Sequence, residues 1–524
     1  MKILAFLRRA VPLATLILVA LALVWIWGVG ERTGQDRVMT TSLVVLLTLL
    51  VGILWLVLLS GWRWYRRLLA LLVLVGAVGL IVSSVRVVGV TGDLVPILDW
   101  KWGDSQRATV RLEVPPPRDL GEISFPQFLG PRRDATVTEV ALATDWQARP
   151  PEEIWRRPVG EGWSAFAVGD GLAVTQEQHD DEERVVAYRL ESGEEVWSHG
   201  YAARYASPIA GVGPRATPTL AGGRVFTVGA TGRVTALQLA DGSLLWSRDL
   251  FAELQAPLPE WGVAGSPLVV DDLVVVSVGG SNRRSLVALD AATGELRWSG
   301  GDDRAGYSSP VRVNLAGMEQ ILSFNQASMT AHDPADGTVL WSVEWPPAQP
   351  NVAQPLVLPP DRVLLSTGYG QGSRLYRIGR SADGEWQPEM LWKSPRLKAK
   401  FTTIVSARGA IFGLDDGTLV SLDPETGERH WKRGRYGHGQ TLLVGDVLLI
   451  VTEKGEVVLV VADPTGHREL ARMQALSGKT WNNPALAGPY LLVRNNREAV
   501  CYRLPLTAAG DLPVTPIPRE ESES

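Results

Sequence analysis

The sequence predicts an all-β protein, an eight-bladed β-propeller preceded by three transmembrane α-helices, on three observations. A segment that ends in Trp recurs from residue 155 onward. Three apolar runs lie ahead of it. Trp, at 20 copies, outnumbers both Tyr at 10 and Phe at 9, so some repeated feature of the architecture asks for it. With 53 Gly and 34 Pro in 524 residues, the chain is turn-rich and folded rather than low in complexity.

Charge and cysteine content exclude several classes. A net charge of −5, from 51 basic and 56 acidic residues, lacks the basic excess that a nucleic-acid partner requires. The single cysteine, Cys501, rules out an intrachain disulfide and a Cys-based zinc site. No nucleophile elbow, Walker loop, HExxH or CxxC occurs, and the glycine-rich GVGPR and GYGQG precede strands rather than the helix a phosphate loop needs.

In chain order, the apolar runs are Val11 to Gly30, Val38 to Gly61, and Leu68 to Val82, the third extendable to Val90 if Arg86 snorkels. A span of roughly 20 residues crosses a hydrocarbon core of about 30 Å. VWIWGVGER after the first run offers no small-residue cleavage site, so that run is a span and not a signal peptide. Lys2, Arg8 and Arg9 precede it, and Arg63, Arg66 and Arg67 fill the loop between the second and third runs. The positive-inside rule then places the N-terminus in the cytoplasm and everything after about residue 90 outside. Residues 1–90 form the anchor, 91–150 a periplasmic linker with an extended VPPPRD at Val114 to Asp119, 151–506 the propeller, and 507–524 a disordered acidic tail.

The repeat reads AYRLESGEEVW to Trp197, ALQLADGSLLW to Trp246, ALDAATGELRW to Trp298, AHDPADGTVLW to Trp341 and SLDPETGERHW to Trp431. A small residue lies ten positions before each Trp and a Gly four before. Alternating apolar residues make a strand, the Gly a hairpin turn at positive φ, and the next strand carries Trp. Two more short β runs precede each copy, giving the four antiparallel strands of a propeller blade. Trp then fills the wedge between neighbouring blades. Trp155, Trp392 and a Trp-less copy ending at Leu470 and Ala471 extend the series. The last unit, NNPALAGPYLLVRNNREAVCYRL, has three strands and borrows its fourth from EIWRRPV around Trp155, closing the ring.

The pattern AxDxxTGxxxW, with Ser or Lys rather than Asp after Trp, resembles that of bacterial PQQ-binding-like β-propeller repeat proteins, the group that contains the relatives of the assembly lipoprotein BamB and some members led by a segment like FPQFLGPRRD at Phe125 to Asp134. The resemblance spans Phe125 to Leu504. It implies a scaffold in envelope assembly or, as the alternative, a quinoprotein dehydrogenase for alcohols or aldoses that passes electrons to ubiquinone. The dehydrogenases hold PQQ between a Trp and a disulfide of adjacent cysteines, beside a calcium ion, and the membrane glucose dehydrogenases have five spans. One Cys and three spans depart from that pattern, so no cofactor is expected outside the alternative.

Residues just ahead of each inner strand ring the channel mouth: Trp163 with Ser164, Arg215, Glu260 with Trp261, Tyr307, Asn351, Lys400, His438, and Trp481 with Asn482. Aromatic platforms mixed with fixed polar groups suit a polar, planar or sugar-like ligand. Arg215 and Lys400 suit a carboxylate or phosphate, and His438 would be the proton acceptor if the mouth did chemistry. His332 and His430 are expected at the surface, and the acidic clusters His179 to Arg184 and Asp302 with Asp303 in solvated loops. The expected function is therefore a membrane-anchored propeller that binds envelope proteins or a small polar ligand without catalysis.

Overall fold

The computed structural model describes residues 2–28, 33–102, 123–347 and 350–507. The extended segment read at Val114 to Asp119 and the acidic tail lie outside these residues. Two compact units divide the chain, one built on helices and one on sheets.

The helical unit has α1 (Lys2–Gly28), α2 (Gly34–Leu54) continued by a π turn (Trp55–Leu59), and α3 (Trp64–Ser84). All three are long and apolar enough to cross a membrane. Thr33 caps α2 by accepting a hydrogen bond from the Asp36 N–H. The third helix stops at Ser84 and does not reach Val90, because β-branched Val85, Val87 and Val88 enter a hairpin strand, Val85–Val90, paired with Pro96–Trp100. Arg86 finds Asp99 there at 2.9 Å instead of snorkelling.

In the other unit, eight sheets of four or five strands follow one another among the described residues. They run over 167–202, 219–249, 268–300, 311–344, 356–394, 405–435 and 440–474, and the eighth joins 485–503 to Glu152–Pro158. First strands abut in six of the eight neighbouring pairs of sheets, the eighth against the first included. Cys501 lies opposite Trp155 in the closing pair, as the borrowed-strand reading requires. This is a β-propeller whose two ends zip together.

Two interlocks hold sheet to sheet. The outer one uses the repeat motif. Trp155, Trp197, Trp246, Trp298, Trp392 and Trp431 each donate the indole N–H to a carbonyl of the following sheet, at 2.8 to 3.1 Å. Against the first five of these rings sits the turn glycine of that next sheet. A Cβ would come within 2.6 Å of Trp155 at Gly193 and 2.5 Å of Trp197 at Gly242, and both glycines have φ near 70°. The Gly therefore serves twice, for the turn and for the neighbour's indole. Trp341 is the exception. The following sheet replaces the short turn with two nine-residue strands, and this indole bonds to Gln320 Oε1 of its own sheet at 2.7 Å.

The inner interlock runs around the channel. Backbone N–H groups of Ala165, Thr217, Ser266 and Ser309 donate in turn to Thr217 Oγ1, Ser266 Oγ, Ser309 Oγ and Gln354 Oε1, each on the next sheet. Residues ahead of the propeller engage the same ring. Phe125 pairs with Val168, Pro126 accepts from Leu220, and Thr136–Val137 adds a parallel strand beside Gln440–Val444. From this segment Arg133 reaches inward, 2 % exposed, and donates to the carbonyls of Pro267 and Pro310 at 2.5 Å each.

Some residues expected at the surface are buried. His332 is fully enclosed, bonding Thr330 Oγ1 at 2.9 Å and the Gly337 carbonyl at 3.0 Å, because its side chain turns from the third strand into the joint with the preceding sheet. Glu183, inside the acidic cluster at His179 to Arg184, is buried and accepts from Tyr201 and the Ala230 N–H. Asp303 ties Ala327 and Ser328. His430 stays exposed.

Cys501 is fully buried, and burial pushes its thiol well above the ordinary range. A thiol reagent should therefore leave the native protein unlabelled and react stoichiometrically only after denaturation, which gives a direct readout of ring closure. Fast labelling of the native protein would contradict the closing pair.

Candidate functional site

Two aromatic clusters form where the chain enters its inner strands. In the first, Trp163 and Trp481 face each other with ring centroids 5.1 Å apart and planes inclined by 39°. Phe401 packs on Trp481 at 4.9 Å and on His438 at 5.4 Å. Glu453 organises the group. Its Oε1 accepts from the Trp481 indole at 2.9 Å and its Oε2 from the His438 backbone at 3.3 Å. The Lys479 ammonium lies over both indoles, 4.0 Å from Trp481 and 4.8 Å from Trp163. Burial pushes this amine down to about 8, with Glu453 opposing.

In the second cluster, Trp261 packs on Tyr307 at 5.4 Å and Tyr369 at 6.5 Å, and its backbone N–H donates to the Tyr307 hydroxyl at 3.2 Å. Lys400, fully buried, places its ammonium 5.2 Å from the Tyr369 ring. Arg215 stacks over Tyr205 at 4.5 Å and donates to the Gly213 carbonyl. Burial pushes Arg215 down to about 10, while Tyr205, Glu183 and Tyr307 hold it up. The Tyr205 hydroxyl donates to the Glu260 carbonyl. Burial raises Tyr205, Tyr307 and Tyr369 alike, so these hydroxyls are neutral donors at physiological pH.

The residues named from sequence thus divide. Trp163, Arg215, Trp261, Tyr307, Lys400, His438 and Trp481 enter the clusters. Ser164, Asn351 and Asn482 are instead fasteners between loops. Ser164 accepts from Gln176 N–H and Thr175. Asn351 donates to the carbonyls of Asn325 and Gln326 and accepts from Thr367. Asn482 donates to those of Gly162 and Ser164, with its carbonyl oxygen left without a partner. Glu260 contributes its backbone, and its side chain is exposed.

The sequence reading missed Tyr205, Tyr369, Phe401, Asp416, Glu453 and Lys479. Tyr369, Asp416 and Glu453 come from the turns joining second to third strands, which reach the same face as the entries to the first strands. Phe401 and Lys479 stand one and two positions from Lys400 and Trp481 on the same loops. Asp416 is conspicuous among them. It holds a left-handed φ of 46°, is 8 % exposed, and lies 3.6 Å from Lys398. Burial raises its carboxyl, with Lys398, Lys400 and His438 pulling it back and Asp415 adding to the rise.

These residues do not fit a PQQ and calcium site of the disulfide type. Cys501 is in the closing strand pair, wholly buried opposite Trp155, and has no second cysteine. Among the described residues no three His, Cys, Asp or Glu side chains converge on a point that could hold a metal ion.

Comparison with known proteins gives a family match over residues 133–249 and 181–433, to the family described as outer membrane protein assembly factor BamB. Quinohemoprotein alcohol dehydrogenase ADH IIB of Pseudomonas putida is 30 % identical over 126 residues, 22 % of this chain and 17 % of that protein. The chain thus spans about a sixth of that relative's length. The crystal structure of BamB from Moraxella catarrhalis aligns at a TM-score of 0.49 and 14 % identity, covering 68 % of this chain and 98 % of that one. Quinohemoprotein alcohol dehydrogenase from Comamonas testosteroni aligns at 0.40 and 13 %, covering 74 % and 81 %.

Proposed function

We propose, since the chain belongs to the PQQ-repeat propeller family described as outer membrane protein assembly factor BamB, that it is a non-catalytic docking platform held at the bacterial inner membrane by its three helices. The cations before the first span and between the second and third support an N-terminus in the cytoplasm and a propeller in the periplasm. The observation that carries this reading is the composition of the mouth: half-buried indoles and phenol rings lying beside Arg215, Lys400 and Lys479. Such surfaces supply large contact area at low conformational cost, which suits a partner chain's side chains. His438 has a buried ring packed on Phe401, which makes it part of the wall.

The sequence match to a quinohemoprotein alcohol dehydrogenase favours a second reading, a membrane-linked quinoprotein oxidoreductase. One pair of experiments separates them. Purified full-length protein mixed with PQQ and calcium should neither bind the cofactor stoichiometrically nor oxidise alcohols or aldoses with an artificial dye. In cells, a photo-crosslinking residue at Tyr307 should give discrete adducts with an envelope protein, and the same residue at Val339 on the outer rim should not. Dye-linked turnover that is lost in His438→Ala would overturn the platform reading.

A further inference from the structure

We infer that Trp163, Trp481 and Phe401, with Glu453 beside them, form an alkylammonium cage that Lys479 fills in cis and that a lysine side chain of a docking polypeptide fills in its place. Two inclined indoles 5.1 Å apart present π faces to one ammonium, held 4.0 and 4.8 Å from their centroids. Such faces attract organic cations most strongly when water is excluded. Phe401 packs against Trp481, and the Glu453 carboxylate that bonds the Trp481 indole supplies the opposite charge. The cage is therefore built for a cation, and the protein's own lysine marks its position.

Lys479 is placed to leave. The loop around it is pinned on either side, by Ser477 bonded to Glu498 and Asn495 and by the Thr480 N–H on the Glu453 carbonyl at 2.9 Å. Between these pins, Gly478 is exposed, adopts a φ of 87°, and has open space where a Cβ would be. Glycine at that position lets the backbone turn without steric penalty. Burial has already driven the amine towards neutrality. On leaving, Lys479 regains the hydration that an incoming ammonium gives up, so the exchange is nearly balanced and contacts elsewhere on the mouth decide it. The overall charge of −5 favours a basic partner.

The inference rests on the mouth being a docking face, and its test is independent of that reading because the probe is a small amine. Binding of n-butylammonium to detergent-solubilised full-length protein is followed by ligand-observed NMR, with n-butanol as the neutral control. A tethered competitor acts at an effective concentration in the millimolar range or above, so Lys479→Ala should bind the amine at least about tenfold more tightly than the native protein. Lys479→Arg, which keeps a tethered cation, should bind as weakly as the native protein. Trp163→Leu added to Lys479→Ala should abolish binding while Cys501 stays protected from thiol reagents. The cage is overturned if Lys479→Ala shows no gain, if butanol binds as well as butylammonium, or if Trp163→Leu leaves binding intact. Cross-linking from Tyr307 can succeed with any of these results.

Discussion

Replacing Trp197 with Ala should destabilise the propeller by about 3–5 kcal/mol. The indole is 8 % exposed, stacks on Gly242 of the second sheet, and is the donor to the Leu239 carbonyl at 2.9 Å. Removing it opens a cavity between two sheets and strips a buried carbonyl of its N–H. Trp197→Phe keeps most of the apolar face and loses the donor, so about 1 kcal/mol should be lost. The partner side gives the decisive comparison. Gly242→Ala alone should cost more than its backbone strain, because the new methyl meets the ring at 2.5 Å. In a Trp197→Ala background the same change should cost only the strain of a φ of 72°. Chemical denaturation of the four proteins measures the coupling. Strict additivity would mean that Trp and Gly serve their own hairpins and not the joint.

That cycle also marks what the sequence could and could not convey. The spacing of Gly and Trp within each copy was legible, and with it the four-stranded unit and the strand borrowed from around Trp155. What periodicity cannot express is that the Gly answers the Trp of the previous copy, since both landmarks belong to one linear motif. The inner belt was hidden for a different reason. Thr217, Ser266, Ser309 and Gln354 share a position but not one side-chain type, and only the three-dimensional ring makes them equivalent acceptors.

The mouth was legible where its residues immediately precede a strand that can be counted. Trp163, Trp261 and Trp481 stood out because they break the repeat's own use of Trp. Glu453, Tyr369 and Asp416 come from turns that vary in sequence, and nothing in their local pattern marks them. Ser164, Asn351 and Asn482 have the composition of ligand-binding residues, yet the Ser164 hydroxyl accepts from the Gln176 N–H and both amide nitrogens donate to backbone carbonyls of neighbouring segments. Type and position alone cannot separate a polar side chain that greets a ligand from one that ties two loops.

Glu177→Gln should cost about 2–3 kcal/mol, because it removes a buried carboxylate that accepts from Tyr188 and Gly160 and whose charge offsets the burial of Arg494. Glu177 is on the first sheet and Arg494 on the eighth, and both are enclosed. Burial pushes the Glu177 carboxyl up, but His179 at 2.9 Å, the charge of Arg494, the Tyr188 hydroxyl at 2.7 Å and the Gly160 N–H at 2.7 Å together hold it below the ordinary carboxylate value. Arg494 is meanwhile fastened to Thr175, Gln176 and Gly160 on the first sheet's side. A carboxyl depressed in the folded state stabilises it above the unfolded pKa, and that stability is lost as pH falls through the folded value. The native protein should therefore lose stability on acidification below about pH 4.3, and Glu177→Gln should show a shallower acid slope. Pairing it with Arg494→Met removes both charges from the interior. The double variant should be more stable than Glu177→Gln alone, even though four acceptors lose their donor, because a guanidinium buried without an opposing charge costs more than an apolar side chain of similar length. A double variant that is weaker by the sum of both single losses would mean that Arg494 acts through its backbone hydrogen bonds and not as the partner of Glu177.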